Sequence, residues 1–206
     1  MADVRKLFAT SLYQVSFADE PGFSDLTTDL VATARMMAAE DRAGRLWSRA
    51  NRFGGYTSYA TPGDLARKAT AFGRLKRRLD RHVAAFAEEL AFDLGPRGRL
   101  TLDGLWVNIL RRGARHEGHI HPLSVISGTY YVAAPPGSGA LRLEDPRLSQ
   151  MMAAPPLRSD APEGDQRSIS VIPRTGDLLL WESWLRHEVM PGGAERISLS
   201  FNYAWR

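Results

Sequence analysis

The chain contains no cysteine. That excludes a disulfide framework, a thiolate nucleophile, an iron–sulfur cluster and any cysteine zinc site, so a metal must sit on His, Asp or Glu. Long apolar runs are also missing, and nothing approaches the roughly 20 residues of a membrane helix. The opening MADVRKL has no apolar stretch of the kind that makes a signal peptide. A cytoplasmic protein with no membrane partner is expected. Lysine is scarce, three residues against 24 arginines, and the net charge is +4. The arginines are spread along the chain, and the densest basic cluster, Arg74, Lys76, Arg77, Arg78 and Arg81, falls in a helical stretch. It reads as a solvated face rather than a nucleic-acid surface. Hydrophobic residues make up 44% and charged residues 24%, near globular averages, so disorder is not expected. Its 206 residues suit a single domain, 1–206.

Residues 7–17 are rich in β-formers and predict a first strand. A helix follows, capped by Ser24 or Thr27 and running through Leu30 and Met37 towards Gly44. At Thr61-Pro62-Gly63-Asp64 a capping hydroxyl, a first-turn proline and an acid stand in order. Leu65, Ala69, Phe72, Leu75, Leu79, Val83, Phe86 and Leu90 then recur at helical spacing until Gly95-Pro96, giving one apolar face that suits bracing a sheet. From about Leu102 the pattern changes to β-like runs at 102–110, 123–133, 139–144, 168–173, 177–182, 187–190 and 196–205, as in an antiparallel sandwich or barrel. The Pro-, Gly- and Ala-rich stretch 134–166 reads as loop around one short strand, either a lid over a barrel mouth or a plain surface excursion. The chain is thus α+β: a strand and bracing helices over 1–100, a β core over 101–206.

Three of the five histidines, His116, His119 and His121, fall within six residues. On an extended segment His119 and His121 point the same way, so both imidazoles can converge on one metal ion. His82 lies among helix residues and reads as structural. His116 stands either as a further ligand or as a loop residue beside the site. Downstream, Pro191-Gly192-Gly193 separates two β runs and predicts a hairpin. If it is symmetric about 191–192, His187 lies opposite Arg196, with Cβ atoms roughly 4.5–5.5 Å apart. A metal ligand beside a guanidinium suits a metal-bound anion with a distal carboxylate. Beyond the turn, Arg196, Ser198, Ser200 and Asn202 alternate with Ile197, Leu199, Phe201 and Tyr203, one polar and one apolar face.

The pattern H-x-H, a distal His, and an Arg nine residues later in R-x-S resembles the Fe(II)/2-oxoglutarate-dependent oxygenases. NILRRG (108–113), HIHP (119–122), SGTYYVAAP (127–135), PRTGDLLLWESWLRHEV (173–189) and RISLSFN (196–202) are similar to a bacterial branch of that superfamily. The likeness is strong over about 102–205, with weaker echoes at LFATSLY and around Gly54–Ala60. It implies a double-stranded β-helix, the jelly-roll or cupin-like core. It also implies Fe(II), 2-oxoglutarate and O2, and hydroxylation of a small-molecule or protein substrate with release of succinate and CO2. Carried over, it makes His119 and His187 iron ligands, Arg196 the partner of the distal 2-oxoglutarate carboxylate, and Ser198 its helper. Tyr131 corresponds to a tyrosine that reaches the same carboxylate in prolyl-hydroxylase-like members, with a core tyrosine as the competing reading. Asn108, the polar interruption in LWVNIL, lines the pocket or bonds backbone.

The resemblance departs at His121, where the family carries Asp or Glu. Either three histidines hold the metal as His119, His121 and His187, or Glu117, Glu144 or Asp145 supplies a carboxylate; only His121 has the spacing. Three neutral histidines leave Fe(II) with two formal positive charges instead of one. Two rival classes stand beside this reading. Gly113, five intervening residues and His119-x-His121 fit the start of a cupin metal motif, but Val125 and Ile126 stand where that motif needs Glu. The other rival is a binding protein that keeps the fold without turnover. Neither rival gives Arg196 and Ser198 a task.

Overall fold

The structure, a computed structural model, describes residues 2–206; Met1 lies outside the described residues. The chain runs β1 (Leu12–Ser16), α1 (Phe23–Glu40), α2 (Arg42–Ala50), β2 (Gly55–Thr57), α3 (Leu65–Lys68) and α4 (Thr70–Glu89). It continues through β3 (Leu100–Leu110), β4 (His116–His119), β5 (Ile126–Ala133), β6 (Leu141–Glu144), β7 (Ser168–Val171), β8 (Asp177–Glu182), β9 (His187–Val189) and β10 (Arg196–Trp205). Six strands form one sheet in the order β1-β8-β5-β10-β3-β2, and four form a second, β4-β9-β6-β7. Every pairing is antiparallel.

The large sheet is buried on both faces, which explains the unbroken run Leu178–Trp181 in β8. Leu178 and Leu180 point to the helix side, where Leu26 and Leu30 of α1 and Phe72, Leu75, Leu79 and Phe86 of α4 join Tyr130, Leu199 and Phe201 in one core. Leu179 and Trp181 point the other way, into a smaller cluster with Tyr131, Leu141, Leu143 and Leu185 between the two sheets. The two-residue period of the strands thus divides helix packing from the space between sheets. No helix of the described residues is long and apolar enough to cross a membrane.

Several expected boundaries move. The first strand is shorter than 7–17, starting at Leu12. Helix α1 is capped by Gly22, in the left-handed region at φ 71°, not by Ser24 or Thr27. It stops before Gly44, because Asp41 turns extended and starts α2 with its side chain accepting from Gly44 N. The helix expected from Thr61 to Leu90 is two helices broken at the extended Ala69. Its cap is Asp64, which accepts from Ala66 N, while Thr61 donates its hydroxyl to Asp41.

The largest difference concerns the turn after β9. His187 is not paired with Arg196: β9 belongs to the small sheet, β10 to the large one. The turn's backbone bonds elsewhere, Met190 N to Ala140 O, Gly193 N to Gly137 O, and Gly113 N to Gly192 O. A side chain on Gly139 would run into Met190 O. Clamped by these neighbours, the chain crosses from one sheet to the other instead of folding back on itself.

Candidate active site

Strands β4 and β9 pair in antiparallel register with His119 opposite His187, and the loop after β4 brings in His121. Ring centroids stand 4.4 Å apart for His119 and His187, 5.0 Å for His119 and His121, and 5.1 Å for His121 and His187. One nitrogen from each lies within 4.8 Å of the others, so the three could hold a metal ion. His119 Nδ1 meets Glu117 O at 2.7 Å and His187 Nδ1 meets Leu185 O at 2.8 Å. A carbonyl only accepts, so both Nδ1 atoms carry the proton and both Nε2 lone pairs are free.

His121 is held differently, with Nδ1 3.3 Å from the Asn202 amide, which also bonds Ser127, itself 2.7 Å from Ser183 Oγ. All three imidazoles are neutral at pH 7. Burial lowers His187 to about 3 and His121 to about 4, helped by the neighbouring histidines, and lowers His119 as well. Neutral imidazoles are ready ligands, with no proton to displace.

His116 belongs to the same cavity but not to the triad. Its ring is 4.3 Å from that of His119 and edge-on to Phe53, and burial first, then His119 and Arg196, lowers it to about 3. His82 sits on α4, its Nδ1 2.8 Å from the Tyr13 hydroxyl, away from the site as expected. No carboxylate lines the cavity among the described residues. Glu117 pairs with Arg115, Glu144 with Arg186 and Asp145 with Arg147, all directed elsewhere.

Across the cavity the large sheet presents Arg196, Tyr131, Asn108, Thr129 and Ser200. Ser198 lies between Arg196 and Ser200 on the same face of β10 and is fully buried. Arg196 is buried too, donating one N–H to Gly139 O at 3.2 Å and standing 5.2 Å from the Tyr131 ring centre. Burial raises the Tyr131 pKa, and the Arg196 charge opposes the shift. Asn108 donates to Ser200 Oγ at 3.0 Å. Six buried polar atoms on this face have no hydrogen-bond partner: Arg196 Nε, Ser198 Oγ, Tyr131 OH, Asn108 Oδ1, Thr129 Oγ1 and Trp181 Nε1. An unmet buried polar group costs about 1–3 kcal/mol, so the set calls for a polar guest. One guanidinium and several hydroxyls suit a carboxylate better than a cation. The enclosed space is narrow, about 30 Å³, roughly one water's share. As these side chains stand, the space is too small for a dicarboxylate.

Sequence reasoning missed Trp106, Thr129, Trp181 and Phe53, which line the cavity, and the Asn202–Ser127–Ser183 chain behind His121. Strand parity carried a signal for two of them, since Trp106 alternates with Asn108 and Thr129 with Tyr131. Phe53 precedes β2 in a turn and had none. Of the loop-rich stretch 134–166 only Leu141 lines the histidine cavity. Residues 145–147 and 164–166 instead border a separate cavity against residues 6–12.

Residues 104–202 match the family model described as "Putative 2OG-Fe(II) oxygenase". The matched residues run from within β3 to within β10, so the β core resembles that family. No curated protein matches the chain. Among solved structures, a prolyl-4-hydroxylase of Pseudomonas putida is similar at 21% identity, TM-score 0.61, over 95% of this chain and 92% of that one. The non-heme α-ketoglutarate-dependent epimerase SnoN of nogalamycin biosynthesis shares 18% identity, TM-score 0.64, over 95% and 77%. A prolyl hydroxylase of Trichoplax adhaerens shares 16%, TM-score 0.59, over 94% and 83%. These likenesses establish the fold, a double-stranded β-helix, and oxygenases of this family use Fe(II), 2-oxoglutarate and O2.

Proposed function

We propose that this oxygenase binds Fe(II) through His119, His121 and His187, and 2-oxoglutarate through Arg196, Ser198, Tyr131 and Asn108. The observation that carries the reading is the pairing of two opposed surfaces. One offers free Nε2 lone pairs, fixed by carbonyls that hold the opposite nitrogen protonated. The other offers a buried guanidinium among unpartnered hydroxyls. When bound, iron and co-substrate supply the oxidation, with release of succinate and CO2. The chain supplies position and charge.

Among the described residues Arg196 is the only charged side chain lining the cavity. It meets the distal carboxylate of the dianion in a space walled from water by Trp181, Tyr131 and Leu141. Three neutral imidazoles leave the metal's charge undiminished, which strengthens its hold on that anion relative to a site with a carboxylate ligand. No residue here needs to move a proton. The substrate, a small molecule or a protein, approaches past His121, where Trp106 stands 5.7 Å away and Tyr59 stacks edge-on against Trp106 at 5.6 Å. The exposed Leu123 and Trp184 flank that entrance, linked by the bonds of His121 N and Val125 O to Ser183. The protein works in the cytoplasm.

Anaerobic titration of the Fe(II)-loaded protein with 2-oxoglutarate tests this reading. A visible metal-to-ligand charge-transfer band that saturates with co-substrate is expected. A protein that binds iron but gives no band and no 2-oxoglutarate affinity belongs with the cupin-like alternative.

A further inference from the structure

A second concave site lies on the opposite side of β3. Along that strand Asn108 and Leu110 face the histidine cavity, while Ile109 and Arg111 face a cavity of about 440 Å³. That size is ordinary for a small-molecule site. Its walls carry four guanidinium groups, Arg35 from α1, Arg45 and Arg49 from α2, and Arg111 after β3, against one carboxylate, Glu195. Glu195 is already engaged by Arg35 at 2.6 Å. Arg45 is fixed by donating to Ala38 O and Ala39 O at the end of α1. Arg49 and Arg111 have no side-chain partner among the described hydrogen bonds and ion pairs.

Arg45 and Arg49 stand four residues apart on one helix, a spacing that sets like charges against each other. The α1 carbonyls hold Arg45 and Glu195 is taken by Arg35, so Arg49 is left without a counter-charge that an anion between the two would supply. Gly55 lines the floor with main chain and no side chain. Arginine forks are donors that recognise phosphate oxygens.

We propose that Arg45, Arg49 and Arg111 form a binding site for a small phosphorylated ligand of the diphosphate class, separate from the iron site. A polymeric polyanion needs a continuous basic track; here the paired Glu195 and the apolar Ala38, Ala39 and Ile109 close the pocket to a single short anion.

Calorimetric titration of the metal-free protein with inorganic pyrophosphate, at fixed ionic strength in chloride, tests the site independently of iron chemistry. One pyrophosphate per chain is expected. Arg49→Ala/Arg111→Ala should weaken it by about a hundred-fold, about ten-fold per guanidinium. Arg77→Ala/Arg81→Ala removes the same charge from exposed positions on α4 and should leave the affinity unchanged. A 31P shift of pyrophosphate on the unmutated protein gives a second readout that needs no variant. Absence of binding, an equal loss in the α4 variant, or a single-stranded oligonucleotide that binds more tightly through the same arginines would overturn the proposal.

Discussion

His119 and His187 face each other across β4 and β9 with ring centroids 4.4 Å apart, and each turns Nδ1 onto the main-chain carbonyl two residues earlier. The same local device on two strands fixes the same tautomer twice. Neither ring depends on a distant side chain for its orientation. His121 does depend on one, because its Nδ1 meets the Asn202 amide. In the structure Asn202 turns Nδ2 to His121 Nδ1 and accepts from Ser127 through Oδ1; for Nε2 of His121 to take a metal, Nδ1 must carry the proton and the amide must turn over to present its oxygen. The amide nitrogen then donates to Ser127, and Ser127 to Ser183.

Asn202→Ala should therefore weaken Fe(II) binding by about ten- to a hundred-fold, the usual loss for a residue that orients a metal-binding histidine. His121→Ala should weaken it further. Calorimetry or equilibrium dialysis with Fe(II) under anaerobic conditions measures both. Unchanged affinity in His121→Ala would return the third position to a carboxylate, against the outward pairing of Glu117 and Glu144.

The metal-free protein should lose stability as the pH falls below about 6.5. His116, His121 and His187 have folded pKa values lowered to about 3, 4 and 3, so the unfolded chain binds more protons through that window. Their contribution is present above the unfolded value and is lost as pH drops towards the folded ones, at about 1.4 kcal/mol per pH unit for each histidine. Chemical denaturation between pH 7 and pH 4.5 reads the slope. A His116→Asn/His187→Asn variant should show a shallower one.

The strands of the β core were legible because their side chains alternate and because turn residues punctuate them. β3, β5, β8 and β10 fall within a few residues of expectation. The R-x-S strand faces the cavity because parity along a strand is a local property, whereas His121 joins His119 there from the loop after β4. Which strand lies beside which is not local. A symmetric hairpin would match His187 with Arg196, but the turn's bonding partners, Gly137, Ala140 and Gly113, come from far along the chain, and the two residues lie on separate sheets. Strand β2 was invisible for a related reason. Its three residues are held by β3 and by Ser48 rather than by any pattern of their own.

Gly128→Ala should destabilise the protein by about 1–3 kcal/mol, the cost of overpacking a filled core. A Cβ there would stand 2.5 Å from Phe201 Cζ, 2.6 Å from Leu180 Cδ2 and 2.7 Å from Leu179 O, and the last is backbone that cannot swing away. Thermal unfolding of the metal-free variant measures the loss. A midpoint equal to that of the parent would mean that β5 and β8 separate more easily than their packing implies.

Arg196→Ala should leave Fe(II) binding nearly intact, since the guanidinium stands on the opposite sheet from His119 and His187 and touches the Gly139 carbonyl and the Tyr131 ring. It should instead weaken 2-oxoglutarate by removing the charge-assisted partner of the distal carboxylate. Losing a buried, hydrogen-bonded ion-pair partner costs about 2–5 kcal/mol, roughly thirty-fold to several thousand-fold in affinity. Arg196→Lys should recover only part of it, because an ammonium replaces a planar fork with a point charge. Tyr131→Phe should cost less, about ten-fold, since it deletes one neutral hydroxyl and keeps the ring under Arg196. The charge-transfer titration ranks all three against the parent, with iron loading measured separately. If Arg196→Ala binds 2-oxoglutarate like the parent, the co-substrate lies elsewhere and the orphaned donors of β10 serve another anion.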